Sequence, residues 1–401
     1  MLSVSNAILL LIFYGIALYL IARWGQSKSP QAEKVRQSAT TYSLSLAVYC
    51  TSWTYYGNVG QASEQGIHHV SLYLGSTLTL ILFTPILKKM VRIKNVYHST
   101  SIADFISTRY NSSPHLAALI SLLCLVGITP YISIQLKSVI TTFSLLVNTQ
   151  SADSVLMSQL DLFIVFIMAI FTIAFGVRRL DPTERHPGMM VALAAESLFK
   201  LFAFLGAGFL ICFIMFDGFN DIISIVINSV ETDSRFETFS KPPATIDWFT
   251  SMALGMIGIL ALPRQFHVGI VECSDLNMLN RARWLFPLYL FAINFLVLPI
   301  AMAGMILLPD SNSADLILLQ IPVLEGQTVI ASLVFLGGFA ASTGMIMISA
   351  MTLSTMATNH LLLPIIEKVV LLQFLRRYLL YTRWAVVFFI LFLSLYYYRV
   401  I

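Results

Sequence analysis

An all-α integral membrane protein is the fold class this sequence predicts, on three observations. The 401 residues are 57% hydrophobic and only 11% charged, against about 25% charged in a soluble globular domain, and the mean hydropathy is +0.81. The apolar residues fall into runs of about 20, the length an α-helix needs to cross roughly 30 Å of hydrocarbon. The basic residues are concentrated in alternate gaps between those runs.

Ten apolar segments are predicted to span. The first, 4–24, lacks a basic leader and is read as a retained helix rather than a cleaved signal. The others lie near 41–61, 66–89, 115–147, 159–178, 188–216, 247–270, 282–308, 327–358 and 380–400. Nineteen of the 24 Lys and Arg flank these spans on one side only: Arg23 to Arg36, Lys88 to Arg109, Arg178 to Arg185, Arg264 to Arg283 and Lys368 to Arg383. The intervening loops 148–158 and 309–326 carry none, and 217–246 carries only Arg235 and Lys241. By the positive-inside rule the basic loops are cytoplasmic and the N-terminus is outside. Between Ser99 and Ser113, Ile102, Phe105 and Ile106 share one helical face, which predicts a short surface helix on the cytoplasmic side. Residues 221–230 read similarly on the outer side.

Several function classes fall away. No glycine-rich phosphate loop, nucleotide motif or catalytic triad is present, so the chain is not read as an enzyme. The four cysteines, Cys50, Cys124, Cys212 and Cys273, form no CxxC pair, so neither a disulfide framework nor a cysteine zinc site is expected. A net charge of +4 makes no case for nucleic acid. The lipid bilayer is the solvent.

Polar groups at membrane depth are costly, so each raises a functional question. Span two is the extreme case. AVYCTSWTYYGNVG, residues 47–60, sets nine polar or aromatic-polar side chains inside an apolar run. Gly57 and Gly60 weaken helix continuity there. An interrupted helix near the midplane frees backbone groups and half-helix dipoles for a ligand; a buried helix with internally bonded hydroxyls is the alternative. Span seven has Gly255 and Gly258 near its middle, which fits an interruption or close helix packing. Span nine carries Ser342, Thr343, Ser349, Thr352, Ser354 and Thr355, which suit interhelical hydrogen bonds or the oxygen coordination of a hard cation. Lys137 lies within span four. Glu196 and Lys200, four apart in span six, are expected to pair along the helix. The seven histidines fall at span ends or in loops and are read as interfacial.

Three stretches carry a family resemblance. YSLSLAVYCTSWTYYGNVG, LPRQFHVGIVE, and the pair FLGGFAASTGM and AMTLSTMATNHLLLP resemble the solute:sodium symporter family over essentially the whole chain. They look most like the transporter-like module at the N-terminus of bacterial sensor histidine kinases of the CbrA type. The resemblance implies the LeuT fold, two inverted five-helix repeats preceded by one extra helix. Residues 1–40 would be the extra helix and its loop, 41–216 the first repeat, 217–246 an extracytoplasmic loop and 247–401 a second repeat. The chain stops after the segment that would be core helix nine, so a tenth core helix and the kinase domains of a full-length relative are expected outside it.

The same resemblance implies a multi-pass protein of the bacterial inner membrane that carries or senses a small amino acid, histidine first. Spans two and seven would be the broken helices. Ser52, Trp53, Tyr55 and Tyr56 would line one side of the substrate site and Tyr131 and Gln135 the other, with Gly255 on span seven. Ser342 and Thr343 would supply sodium-site hydroxyls. No cofactor is implied beyond Na+ or H+ as coupling ion. One position departs from the pattern: sodium-coupled relatives carry an aspartate two residues before the serine matched by Ser52, and here Cys50 stands in its place. That loss makes proton coupling a competitor, as is a purely sensory input module that binds solute without moving it.

Overall fold

The structure is a computed structural model and describes residues 2–147, 159–177, 185–230, 233–309 and 313–400. Helices overlap all ten predicted segments, and there is no strand among the described residues. Among the described residues six helices are long and apolar enough to cross a membrane, and two bent pairs raise that to eight if each is one span. The chain is a multi-pass membrane protein.

Span one, Val4–Gly25, shows how such helices choose their inward face. Ala7, Leu11, Tyr14, Leu18 and Ala22 form a buried stripe, while Leu9, Phe13, Ile16 and Leu20 are exposed. Both faces are equally greasy, because lipid is as apolar as a helix interface. The stripe is therefore set by shape and by Tyr14, not by hydropathy. Ser3 caps the start by accepting the Asn6 N–H.

Span nine, Thr328–Ala357, is the central post and is buried on every face over its second half. Span four (Pro114–Leu146), span five (Leu160–Phe175), span six (Pro187–Phe209) and span ten (Leu379–Val400) pack around it. Two of its hydroxyls find partners along the helix: Ser342 donates to the Gly338 carbonyl and Ser354 to that of Met351.

Spans two and seven are both discontinuous. Span two runs as Ala39–Ser45, tightens to a 3-10 turn over Leu46–Tyr49, and opens at Cys50 (φ −77°, ψ 96°). It resumes as a wide π turn over Trp53–Gly57 and ends as the helix Asn58–Gln65. Span seven breaks at Leu262 (φ −65°, ψ 126°), between Thr245–Ala261 and Pro263–Phe266, with a bend of 52°. The cause is Pro263, which lacks an N–H and forces the residue before it out of the helical region. The interruption is thus not at Gly255 or Gly258. Gly255 lies where spans three (Val70–Leu82) and seven cross: a Cβ there would sit 2.0 Å from the Leu72 carbonyl oxygen. Only a glycine permits that approach.

Hydrogen bonds sort the loops into two ends. At the basic end, Lys94 and Arg185 both reach the carbonyls of Val271 and Cys273. His360, after span nine, lies 3.1 Å from Asp104 of the short helix Ile102–Arg109, which falls where the surface helix was predicted. At the other end Thr238 donates to Glu64, and Arg235 to Pro309. Arg178 and Arg179 lie outside the described residues.

Candidate functional site at the two helix breaks

Breaking a helix strands carbonyls on one side and N–H groups on the other, and both must be satisfied at membrane depth. Three neighbouring spans do this for span two. On the carbonyl side, Gln265 of span seven donates to the Leu46 oxygen at 3.0 Å. Lys200 of span six donates to the oxygens of Ala47 at 2.8 Å and Cys50 at 2.7 Å. A cation at the C-terminal end of a half-helix also meets the negative pole of its dipole. On the N–H side, Gln135 of span four accepts from the Ser52 amide at 3.1 Å and the Ser52 hydroxyl at 2.7 Å.

Arg264 joins the two breaks. It follows Pro263 directly, so the kink that ends the first half of span seven also sets its direction. Its guanidinium carbon is 4.8 Å from the centre of the Tyr131 ring, and Nη2 is 3.5 Å from the Tyr131 hydroxyl. That hydroxyl is in turn 3.0 Å from Thr51 Oγ1, inside the break of span two. Arg264 is 2% exposed, and its Nε and Nη1 have no hydrogen-bond partner among the described residues. Burying guanidinium donors without acceptors is expensive. Guanidinium donors so placed are able to bond an anion. Cys50, Thr51, Ser52, Gln135 and Arg264 are each at most 2% exposed, so the junction is closed to solvent.

Glu196 does not pair with Lys200 as expected from their spacing. It accepts from Tyr14 of span one at 2.5 Å and from Thr343 of span nine at 3.0 Å. One turn on, Lys200 is directed to the break instead. The helix places the two groups on one face, but each has stronger partners on a different neighbouring span.

The predicted site residues therefore separate into groups. Ser52, Tyr131 and Gln135 meet at the junction. Trp53, in the same turn, is 40% exposed. Tyr55 and Tyr56 face span nine and fit a notch at Gly337 and Gly338, where added Cβ atoms would lie 2.3 Å from the Tyr55 hydroxyl and 2.1 Å from the Tyr56 ring. The Tyr56 hydroxyl donates to the Val334 carbonyl. Gly255 is at the crossing with span three, its carbonyl 3.2 Å from the Ser76 hydroxyl. Thr343 belongs to the Glu196 cluster, and Ser342 to its own helix. Lys137 is exposed.

Arg264, Lys200 and Gln265 are the residues that sequence reasoning left out of the site. Arg264 was counted among loop arginines, and Lys200 was assigned to Glu196. The signal for Arg264 and Gln265 was the Pro263 that precedes them inside an apolar run.

A cavity of about 550 Å³ opens at the end away from the basic loops. Gln61 and Gln65 of span two, Asp247, Thr250 and Ser251 of span seven, and Thr238 and Lys241 between them line it. It lies between the end of span two and the start of span seven.

No protein-family model matches the chain, and no curated protein matches it in sequence. A solved structure of a Na+-coupled sialic acid symporter, in a substrate-bound outward-open state, matches in fold with a TM-score of 0.69 at 17% identity. The match covers 98% of this chain and 81% of that one. The fold is LeuT-like, with an extra helix before the first broken span.

Proposed function

We propose that this chain binds a small organic carboxylate, an amino acid in the first instance, at the junction of the two broken spans and carries it across the membrane. The observation that supports this most directly is Arg264: a buried guanidinium with two unpartnered nitrogens, held over Tyr131 beside the break of span two. A carboxylate matches a guanidinium in charge and fork geometry. The LeuT-like fold supports movement by alternating access, and the fold neighbour's own solute is also an acid. Histidine, suggested by the resemblance of span two and LPRQFHVGIVE, is the first solute to test. Tyr131 and Trp53 offer rings for its imidazole.

Lys200 bears on the coupling ion. Its ammonium sits on the Ala47 and Cys50 carbonyls, and Cys50 replaces the carboxylate of sodium-coupled relatives. A resident cation there leaves that end of the broken helix no vacancy for sodium, which favours protons as the coupling ion, although the fold neighbour is Na+-coupled.

The test is uptake of radiolabelled histidine into proteoliposomes under a pH gradient, with sodium or choline outside. Uptake driven by the pH gradient and indifferent to sodium supports the whole reading. Uptake that needs sodium overturns the coupling. Saturable binding without uptake in folded protein selects the sensory module, which keeps the same pocket, over the carrier. No binding of histidine or other amino acids removes the site assignment.

A further inference from the structure

At the basic end, away from the junction, three ligand-type side chains converge. His186 stands immediately before Pro187, at the start of span six. His267 and Glu272 lie in the turn that ends span seven, where the Glu272 N–H bonds the His267 carbonyl at 2.9 Å. This wide turn sets both side chains on one face. His186 Nδ1 is 3.4 Å from Glu272 Oε1, and His267 Nε2 is 3.5 Å from the same oxygen. The three ligand atoms lie within 4.8 Å of one another. His267 is 2% exposed and Glu272 8%.

These separations are long for hydrogen bonds, which centre near 2.7–3.0 Å. The two imidazole–carboxylate separations match another geometry. A tetrahedral zinc ion with bonds of about 2.0–2.1 Å holds its ligands about 3.4 Å apart. Two imidazoles and a carboxylate are a set that such ions take, with a fourth position left for water. The carboxylate also accepts the His186 N–H at 2.6 Å, which fixes its orientation as an outer-shell bond does in metal sites. The nearby cations do not compete for it, because Lys94 and Arg185 are spent on the carbonyls of Val271 and Cys273.

We propose that His186, His267 and Glu272 form a binding site for a divalent transition metal of the zinc class. Its ligands come from both predicted repeats, so a bound ion ties the start of span six to the end of broken span seven. This does not depend on the solute or on transport.

The test uses the full chain in nanodiscs, stripped with EDTA and titrated with Co2+, whose visible absorption is intense only in tetrahedral sites. One saturable, intense band, displaced by Zn2+ and weakened at least tenfold in affinity in His267→Gln and in Glu272→Gln, supports the site. Absence of the band at millimolar Co2+ in folded protein overturns it, as does a band unchanged in both variants. If the variants fail to fold, X-ray absorption of the zinc-loaded wild type decides. Two imidazoles with oxygen support the assignment; sulfur or all-oxygen ligation overturns it.

Discussion

The Lys200 ammonium donates to the Cys50 carbonyl at 2.7 Å, and through that bond span six closes the break in span two. The same nitrogen holds the Ala47 carbonyl three residues earlier. A helix that would otherwise need water or an ion at this depth is capped by a side chain of its own fold.

Removing the amine should therefore open an ion site. Lys200→Ala strands the buried Cys50 carbonyl, leaves that of Ala47 with the Cys50 N–H alone, and should lower stability by roughly 1–3 kcal/mol. Sodium should raise the unfolding temperature of this variant and leave that of the wild type unchanged, because only the variant has vacant oxygens. Thermal unfolding in sodium against choline buffer reads both. A sodium shift of equal size in the wild type would show that its cation site lies elsewhere.

Arg264→Met should abolish binding of the carboxylate solute while leaving the fold standing, since the guanidinium makes one weak bond and two of its nitrogens make none. Arg264→Lys keeps the charge without the fork and should weaken binding by about tenfold or more. Isothermal titration of both variants checks this. Wild-type affinity in Arg264→Met would remove the arginine from the site.

The notch that receives Tyr55 and Tyr56 gives a matched pair of predictions. Gly338→Ala puts a methyl 2.1 Å from the Tyr56 ring and should destabilise by about 1–3 kcal/mol. Gly206→Ala in span six meets nothing within 4 Å and should be neutral or stabilise by up to about 1 kcal/mol through helix propensity. Unfolding midpoints of the two variants in one detergent make the comparison.

Asp104 supplies a pH dependence at the basic end. Burial pushes its carboxyl up, but the His360 imidazole at 3.1 Å and the Thr100 hydroxyl and N–H outweigh that and hold it below the usual aspartate range. A depressed acid stabilises the fold above its unfolded value, about 3.9, and the contribution is lost as pH falls through the lower folded value. Asp104→Asn should melt below the wild type at pH 7, and the gap should close below about pH 4. A gap that persists in acid would assign the loss to packing.

Much of the membrane architecture was legible. Apolar runs located segments that the structure fills with helix, because bilayer thickness imposes a length. The polar stretch 47–60 marked the first break, since nothing but a partnered or open backbone explains so many hydroxyls at depth. The second break was marked less well. Two glycines drew attention, whereas Leu262–Pro263 is where the helix parts, and Gly255 serves the crossing with span three.

By itself, the sequence determined the helices and the point where span two must open, because these follow from hydropathy and local backbone chemistry. The tertiary structure alone decided the partners. Lys200 turns to span two rather than to Glu196, Arg264 is drawn into the junction rather than left in a loop, and His186 at the start of span six meets His267 and Glu272 at the end of span seven. Spacing along one helix says which residues share a face; it does not say which neighbouring span that face will meet, and in a chain equally apolar on every side only packing settles that.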